Sequence, residues 1–443
     1  MSRSRITLAS LTAVVAFSLS ALSGLAEEKK KSDFQFKAEL GIKGTYDDNV
    51  YLQDHKPDLT KFPNAVRENQ ESFVTTISPK ISMDYKPCEA FNISASYAPD
   101  IVFYHAEPSE DYVAHRGVFI IGGKFENTSY EIITAPTLVD GNDESNTFGT
   151  PGNPPAVGGI PLRERRDQVM LRESFRLTQV VGSWFFRPVA SFYTHDFQNE
   201  QHSTAVYKGY LNYIDREDVN GGIDVGYEVY KKTYLVVGYR YGQQNQYRGP
   251  WVGDTKLFAD SPYDSTYHRA LLGVEGTPAP WIKLAILAGP EIRDWDSGTP
   301  VKFDEDELIY WVDASITLMP TKQDTIILSH KRFEQPAFTS QSVYEDITYD
   351  FAYKHKFNDK LTVGAGFRVY IGDWQAPVFR EDWIYTPSFS VTYAFNKHLT
   401  AEFFYSHDDA ESHTPNKKIV PAYSGVGREY TRNLISLGAK YTF

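Results

Sequence analysis

The sequence predicts an all-β protein, a closed antiparallel up-and-down transmembrane β-barrel of about 18 strands (16–18). Apolar and polar residues alternate with period two along most of the chain, which is typical of strands with two different faces. The connections alternate between short turns and longer loops rich in Asp, Pro, Gly and Asn. The chain also contains 30 Tyr, 28 Phe and 7 Trp, an enrichment that favours strands and membrane-interface girdles.

The amino terminus has the three-part layout of a secretory signal peptide. Two arginines precede a mostly apolar run over residues 6–22, and small residues follow up to Ala26. The alternative is a membrane anchor, but the run is short for a span and contains Ser and Thr. The predicted organisation is a signal peptide over residues 1–26, a short leader over 27–33 and an outer-membrane β-barrel over 34–443.

The first predicted strand covers residues 34–46. Its even-numbered positions are mainly apolar, so this face favours lipid, whereas its odd-numbered positions are mainly polar. The strand is long enough to cross a bilayer when tilted, since about 9–11 residues suffice.

Eight predicted hairpins with short turns follow along the chain, and a last strand, residues 432–443, closes it. The pattern leaves the two faces of residues 118–121 unassigned. The hairpins are 72–85 with 91–103, 113–124 with 129–139, 168–179 with 184–195, 219–230 with 234–243, 269–276 with 281–293, 308–319 with 325–333, 343–355 with 361–372, and 383–395 with 399–407.

The loop lengths distinguish a membrane barrel from a soluble all-β protein. A sandwich or a propeller also alternates, but it has no reason to place short turns on one side and long loops on the other. Outer-membrane barrels have this asymmetry and an even strand number. Closure also leaves no strand edge in lipid, where unpaired backbone groups find no hydrogen-bond partners.

The end of the chain carries a predicted assembly signal. Ser436, Gly438, Tyr441 and Phe443 have the polar, glycine, aromatic, aromatic spacing of the ending by which bacterial outer-membrane barrels are recognised. The barrel assembly machinery is therefore a predicted partner, and the predicted location is the outer membrane of a Gram-negative-type envelope, with its lipid around the barrel.

The polar faces of the strands supply the predicted lumen-lining residues, because in such a barrel the apolar faces meet lipid. Glu173 is an exception on a predicted lipid face, which indicates either a bulge or a position near the membrane interface. The lumen-lining candidates are Lys37, Glu39, Lys43, Lys80, Asp84, Arg172, Arg176, Asp224, Glu228, Arg240, Lys283, Glu291, Arg293, Asp313, Arg368, Glu402 and Lys440.

No catalytic residue, cofactor or metal site is predicted. The single cysteine, Cys88, has no partner for a disulfide or a zinc site. The loops are rich in acid but have no calcium-binding spacing, which favours a hydrated acidic rim. Neither a GxSxG nor an HExxH motif is present. The net charge of -12 at pH 7 argues against a nucleic-acid partner.

Residues 44–51, GTYDDNVY, carry a resemblance to a known group of proteins. With the strand rhythm and the Phe443 ending, they resemble the opening of β-barrel porins of the kind found beside exopolysaccharide and exosortase systems. The resemblance implies an outer-membrane location and a barrel fold more than it implies an activity.

The predicted function is that of a passive pore or export conduit for small polar or saccharide solutes, since a ring of about 18 strands has room for an aqueous lumen. Four aromatic residues are candidates for stacking on sugars: Tyr104, Tyr193, Trp311 and Tyr370. A plugged barrel with a structural or surface-interaction role is the alternative, and an outer-membrane hydrolase is the third hypothesis. No oligomer interface is legible.

Overall fold

The computed structural model describes residues 33–52, 71–141, 164–198, 215–247, 263–296, 299, 303–306, 308–337, 343–376, 379–413 and 429–443. The predicted signal peptide, and the predicted leader except for its last residue, lie outside these residues. Among the described residues, no helix has the length and apolar character needed to cross a membrane.

Eighteen strands form the sheet, and short turns connect them in pairs from β2 onward. The strands are β1 Phe34–Asp47, β2 Ser72–Cys88, β3 in two segments Phe91–Tyr97 and Asp100–Tyr104, β4 Tyr112–Phe125, β5 Thr128–Asp140, β6 Gln168–Val181, β7 Trp184–Phe197, β8 Asp215–Tyr230, β9 Thr233–Tyr247, β10 Ser265–Ala279, β11 Ile282–Trp295, β12 Leu308–Leu318, β13 Asp324–Pro336, β14 Val343–Lys356, β15 Leu361–Trp374, β16 Glu381–Ala394, β17 Leu399–His413 and β18 Tyr430–Thr442.

The two segments of β3 form one strand that is interrupted at Ala98 and Pro99. Both segments pair with β2 in the same register, as Ile81↔Tyr97 and Ile77↔Ile101 show. Proline has no N–H to donate to a neighbouring strand, which explains the break in the ladder.

Every strand pairs antiparallel with the next strand in the chain, and the first strand also pairs with the last. Ile42 lies opposite Ala439 of β18 on one side and opposite Ile77 of β2 on the other. The sheet is therefore closed, and the predicted all-β up-and-down barrel of about 18 strands is confirmed.

The outer surface of the barrel is apolar. Leu437 has 67% of its surface exposed, and Val237 and Leu272, which face each other across β9 and β10, are also exposed. An apolar surface that encircles a closed barrel is unfavourable in water and is what a lipid bilayer requires. These side chains lie on the faces for which the sequence predicted lipid contact.

The register assigns the faces that the sequence pattern left open. Val118 and Ile120 lie opposite Ser96 and Ser94, on the inner face of the sheet. Directly opposed residues of antiparallel strands share a face, so Phe119 and its second neighbour, Ile121, point outward.

Glu173 is confirmed on the outer face, where it lies opposite Thr134 of β5 and Phe192 of β7. Neither ladder shifts register at this residue, so the bulge is not supported. A position near the membrane interface stays a prediction.

The two ends of the barrel differ. The short-turn end carries the two-residue hairpin turns, such as Gly182–Ser183, and both the start of β1 and the end of β18. Gly182 has a φ of +60°, a conformation that glycine adopts without steric cost in such turns. The opposite, long-loop end carries the connections that include the segments outside the described residues.

Candidate functional site

The inner face of the barrel is the candidate functional site. The register places the predicted lumen residues on the side of the sheet opposite the exposed apolar side chains; Lys43 and Glu402, for example, both lie opposite Gly438. Likewise, Glu39 lies opposite Lys80. That these side chains line the path of a solute stays a prediction.

Toward the short-turn end, most of the charged inner side chains are exposed. Lys37 Nζ and Lys440 Nζ, on exposed side chains, lie 2.7 Å and 3.7 Å from Oε1 of the more covered Glu39. Exposed inner side chains at this end indicate open space in the barrel, since neither their own strands nor the opposite wall cover them. The exposed residues here include Lys80, Asp84, Arg176, Lys283 and Glu402.

A first buried ion network lies on the inner face of β7 to β10. Arg187 Nε is 3.0 Å from Asp224 Oδ2, and Arg187 Nη1 is 2.7 Å from Glu275 Oε1. Arg240 Nη1 is 2.8 Å from the other oxygen of Asp224. Gly238 makes room for this carboxylate, because a Cβ there would lie 2.5 Å from Asp224 Oδ1. Two cations and two anions thus balance, as burial of charge requires.

A second buried ion network is centred on Glu291, whose side chain is fully buried between two arginines. Arg269 Nε lies 2.7 Å from Glu291 Oε2, and Arg293 Nη2 lies 2.8 Å from Glu291 Oε1. Arg293 also donates to Gln244 at 2.9 Å. Its guanidinium carbon is 4.7 Å from the centre of the Tyr267 ring, within the range of a cation–π contact.

Parts of the first three long-loop connections fold against the inner wall at the long-loop end. Glu110, in the 3-10 turn Pro108–Glu110, accepts hydrogen bonds from Arg165 at 3.3 Å and from Arg166 at 3.2 Å. Arg165 also donates to the carbonyl oxygen of Val50 at 2.7 Å. Val50 packs with four other buried side chains, Tyr51, Val74, Val102 and Tyr104.

Burial and a bond to Glu107 raise the pKa of Tyr51 to about 12. Its hydroxyl therefore stays protonated at ordinary pH and donates to Glu107 over 2.6 Å. This bond ties the first long-loop connection to the second.

Replacing Glu110 by alanine should expose the chain around residues 165–166 to trypsin. The change leaves two buried guanidinium groups without their carboxylate, a cost that favours local opening. We expect cleavage after Arg165 or Arg166 to accelerate by about tenfold or more, since 1.4 kcal/mol corresponds to a factor of ten. Mass spectrometry of the first fragments locates the cut. Asp359→Ala, in an exposed short turn, is the control, and equal cleavage rates in both variants would contradict the expectation.

The aromatic residues that the sequence singled out for sugar stacking are mostly engaged by arginines. Arg172 and Arg216 lie 4.8 and 5.3 Å from the ring centre of Tyr193, and Arg269 lies 4.3 Å from that of Trp311. Tyr104 is buried beneath Arg165 in the same way. A sugar ring would have to displace these guanidinium groups to stack there.

The described histidines have several kinds of partner, among them the Thr75 hydroxyl, 2.9 Å from His105 Nε2, and Asp324 Oδ1, 2.7 Å from His355 Nδ1. His115 and His268 lie on the outer face, each with a ring nitrogen 2.7 Å from a tyrosine hydroxyl. His195 lies inside, where it pairs with Gln168 at 2.6 Å and with Tyr193 at 2.8 Å. Over the part of the chain that the structure describes, no group of three His, Cys, Asp or Glu side chains is arranged to hold a metal ion.

Three residues of the predicted assembly signal lie on β18, and the fourth, Phe443, directly follows it. Ser436 is buried and its Oγ lies 2.8 Å from Thr45 Oγ1 of β1. Gly438 also faces inward, whereas Tyr441 points outward and its ring centre lies 5.0 Å from that of Phe443. The Ser436–Thr45 hydrogen bond joins the last strand of the sheet to the first. Recognition of this ending by the assembly machinery stays a prediction.

A closed antiparallel barrel with an apolar outer face and a charged inner face defines an outer-membrane β-barrel protein, and the membrane lipid is what its outer face contacts. No protein-family model matches the chain, and the comparison with curated proteins finds no significant match.

Several solved outer-membrane proteins are similar to the chain at low scores. OccK1 (OpdK) of Pseudomonas aeruginosa is 9% identical, with a TM-score of 0.44 over 92% of this chain and 99% of that one. OccAB4 of Acinetobacter baumannii is 10% identical, with a TM-score of 0.41 over 92% of this chain and 98% of that one. The fold of this chain is defined by its own strand pairing and not by these identities and TM-scores.

Proposed function

We propose that this protein is a passive pore or export conduit for small polar or saccharide solutes. The observation that carries the proposal is the exposure of charged inner side chains of both signs, such as Lys80 and Glu402, toward the short-turn end. A barrel filled by its own side chains would bury them. Walls that carry both charges keep the interior wet and favour solutes that form hydrogen bonds.

Purified protein in a planar bilayer should therefore conduct ions. Lys80→Glu combined with Lys440→Glu should shift the reversal potential in a salt gradient toward greater cation selectivity, because the inner wall loses two positive charges and gains two negative ones. Lys232→Glu, in an exposed short turn, is the control for a change of charge outside the lumen. Folded protein without conductance would contradict the pore.

The alternative, a plugged barrel with a structural or surface-interaction role, is favoured by a different observation. Toward the long-loop end, Glu291 on the inner face and Glu110 and Arg166 in the connections folded against it are all fully covered. A protein of this kind would be folded and heat-modifiable, and it would show no conductance. The bilayer measurement therefore separates the two candidates.

We infer that the protein is not an enzyme. Histidine is the natural base for a hydrolase. Among the described histidines, His105 lies beside a threonine hydroxyl, whereas His355 and His413 lie beside carboxylates. A serine or threonine nucleophile, a base and an orienting carboxylate therefore do not meet at one described histidine. Assays of ester and lipid turnover test this inference. The barrel assembly machinery and a saccharide solute belong to the same proposal as partners.

A further inference from the structure

The ladder between β12 and β13 stops before either strand ends. It runs from Leu318↔Ile326, near the short turn, to Val312↔Arg332. Beyond that pair, β12 continues to Leu308 along β11, and β13 continues to Pro336 along β14. The two strands thus follow different neighbours over their last residues.

The end of β13 beyond Arg332, toward the long loops, contacts strands that are not its neighbours in the sheet. Gln335 accepts a hydrogen bond from Arg216 of β8 at 2.9 Å. The carbonyl oxygen of Ala337 accepts one from Gln246 of β9, also at 2.9 Å. Glu334 Oε2 lies 3.9 Å from Arg293 Nε of β11. The side chains of Arg216, Gln246 and Arg293 point into the barrel, so the long-loop end of β13 lies inside the lumen.

Apolar packing places the start of β14 in the same position. Val343 is fully buried and packs with Tyr263 and Trp295, which lie at the long-loop ends of β10 and β11. Ile309, on the inner face of β12, is only 2% exposed. A segment that has moved from the wall into the lumen explains both observations, since it covers inner side chains at the long-loop ends of these strands.

We propose that residues 333–337 with 343–346, the constriction hairpin, form the narrowest element of the lumen and limit the size of the solute that passes. A pair of strands that crosses the interior reduces the open cross-sectional area of the lumen by a fixed amount, whereas loops alone would leave that area variable. Contacts with three separate strands, β8, β9 and β11, hold the hairpin in place. The limit on solute size rests on the proposed pore function, whereas the position of the hairpin does not.

Disulfide cross-linking in a Cys88→Ser background tests the position. Ala314→Cys with His330→Cys joins register partners of β12 and β13, whose spacing suits a disulfide, and should cross-link on oxidation. Leu308→Cys with Pro336→Cys would be partners if the ladder continued, and should not cross-link. Gln246→Cys with Ala337→Cys should be joined by a short bismaleimide. Cross-linking of 308 with 336, together with none between 246 and 337, would overturn the position.

Conductance tests the role. Glu334→Ala with Gln335→Ala removes side-chain contacts of the constriction hairpin, and it should raise the single-channel conductance and the size of the largest permeant neutral polymer. Glu89→Ala, in an exposed short turn, should change neither. If the parent and the double variant conduct equally, the hairpin is not the constriction. If neither conducts, the pore itself fails, while the cross-linking result still decides where the hairpin lies.

Discussion

Replacing Glu291 by alanine should lower the free energy of unfolding by about 3–5 kcal/mol. Glu291 is the shared carboxylate of Arg269 and Arg293, and all three side chains lie in the buried part of the inner face. Removal of the anion leaves two guanidinium groups with one nearby carboxylate, Glu334, whose Oε2 lies 3.9 Å from Arg293 Nε. Desolvated charges of like sign then repel each other, which adds to the cost.

Denaturant unfolding in detergent or lipid, followed by tryptophan fluorescence and by the mobility of unheated samples in gels, measures the change. The control is Glu89→Ala, which removes an exposed partner of Lys86 in a short turn and should leave the transition where it is. A Glu291 variant as stable as its parent would mean that water reaches the two arginines and that this part of the lumen is not closed.

Arginine at position 286 should destabilise the barrel by about 2–4 kcal/mol, the cost of a cation on the lipid face near the bilayer midplane. Ile286 lies on the outer face of β11, opposite Val274 and Ala314. A folded barrel would therefore hold the new charge in an apolar surrounding.

Ala285→Arg is the matched control, one residue away on the inner face. Ala285 lies opposite Glu275 of β10 and is exposed toward the lumen, so water hydrates the new charge there. Stability of both variants in phospholipid bilayers, measured by reversible denaturant unfolding, compares them directly. Equal losses for the two positions would contradict the assignment of the outer face to lipid.

The alternation of side chains was sufficient to predict the fold. Ile286, on the outer face, directly follows Ala285, on the inner face, and this alternation holds along a strand whatever its neighbours are. Glu173 shows the limit of the pattern: alternation placed it on the outer face but could not decide between a bulge and a position near the membrane interface, and only the regular pairing argues against the bulge.

The buried networks were only partly predictable. Arg187 directly follows Phe186, which points outward, so the alternation could have identified Arg187 as an inner-face residue. Glu275 lies next to Gly276, where the ladders to β9 and β11 end or shift, and the pattern is lost there. The contact of Glu334 with Arg293 depends on the displaced hairpin, and nothing in local periodicity signals that a strand leaves its neighbour.

The pairing of β1 with β18 has a consequence for biogenesis. Thr45 meets Ser436 across 391 positions of the chain, so β1 and β18 can pair only after every residue between them has been translated. A product that stops before β18 would have two unpaired strand edges, whose backbone groups find no hydrogen-bond partners in lipid. The strand that closes the barrel is therefore the last of the eighteen to be translated, and a chain that lacks it has an open sheet instead of a smaller closed barrel.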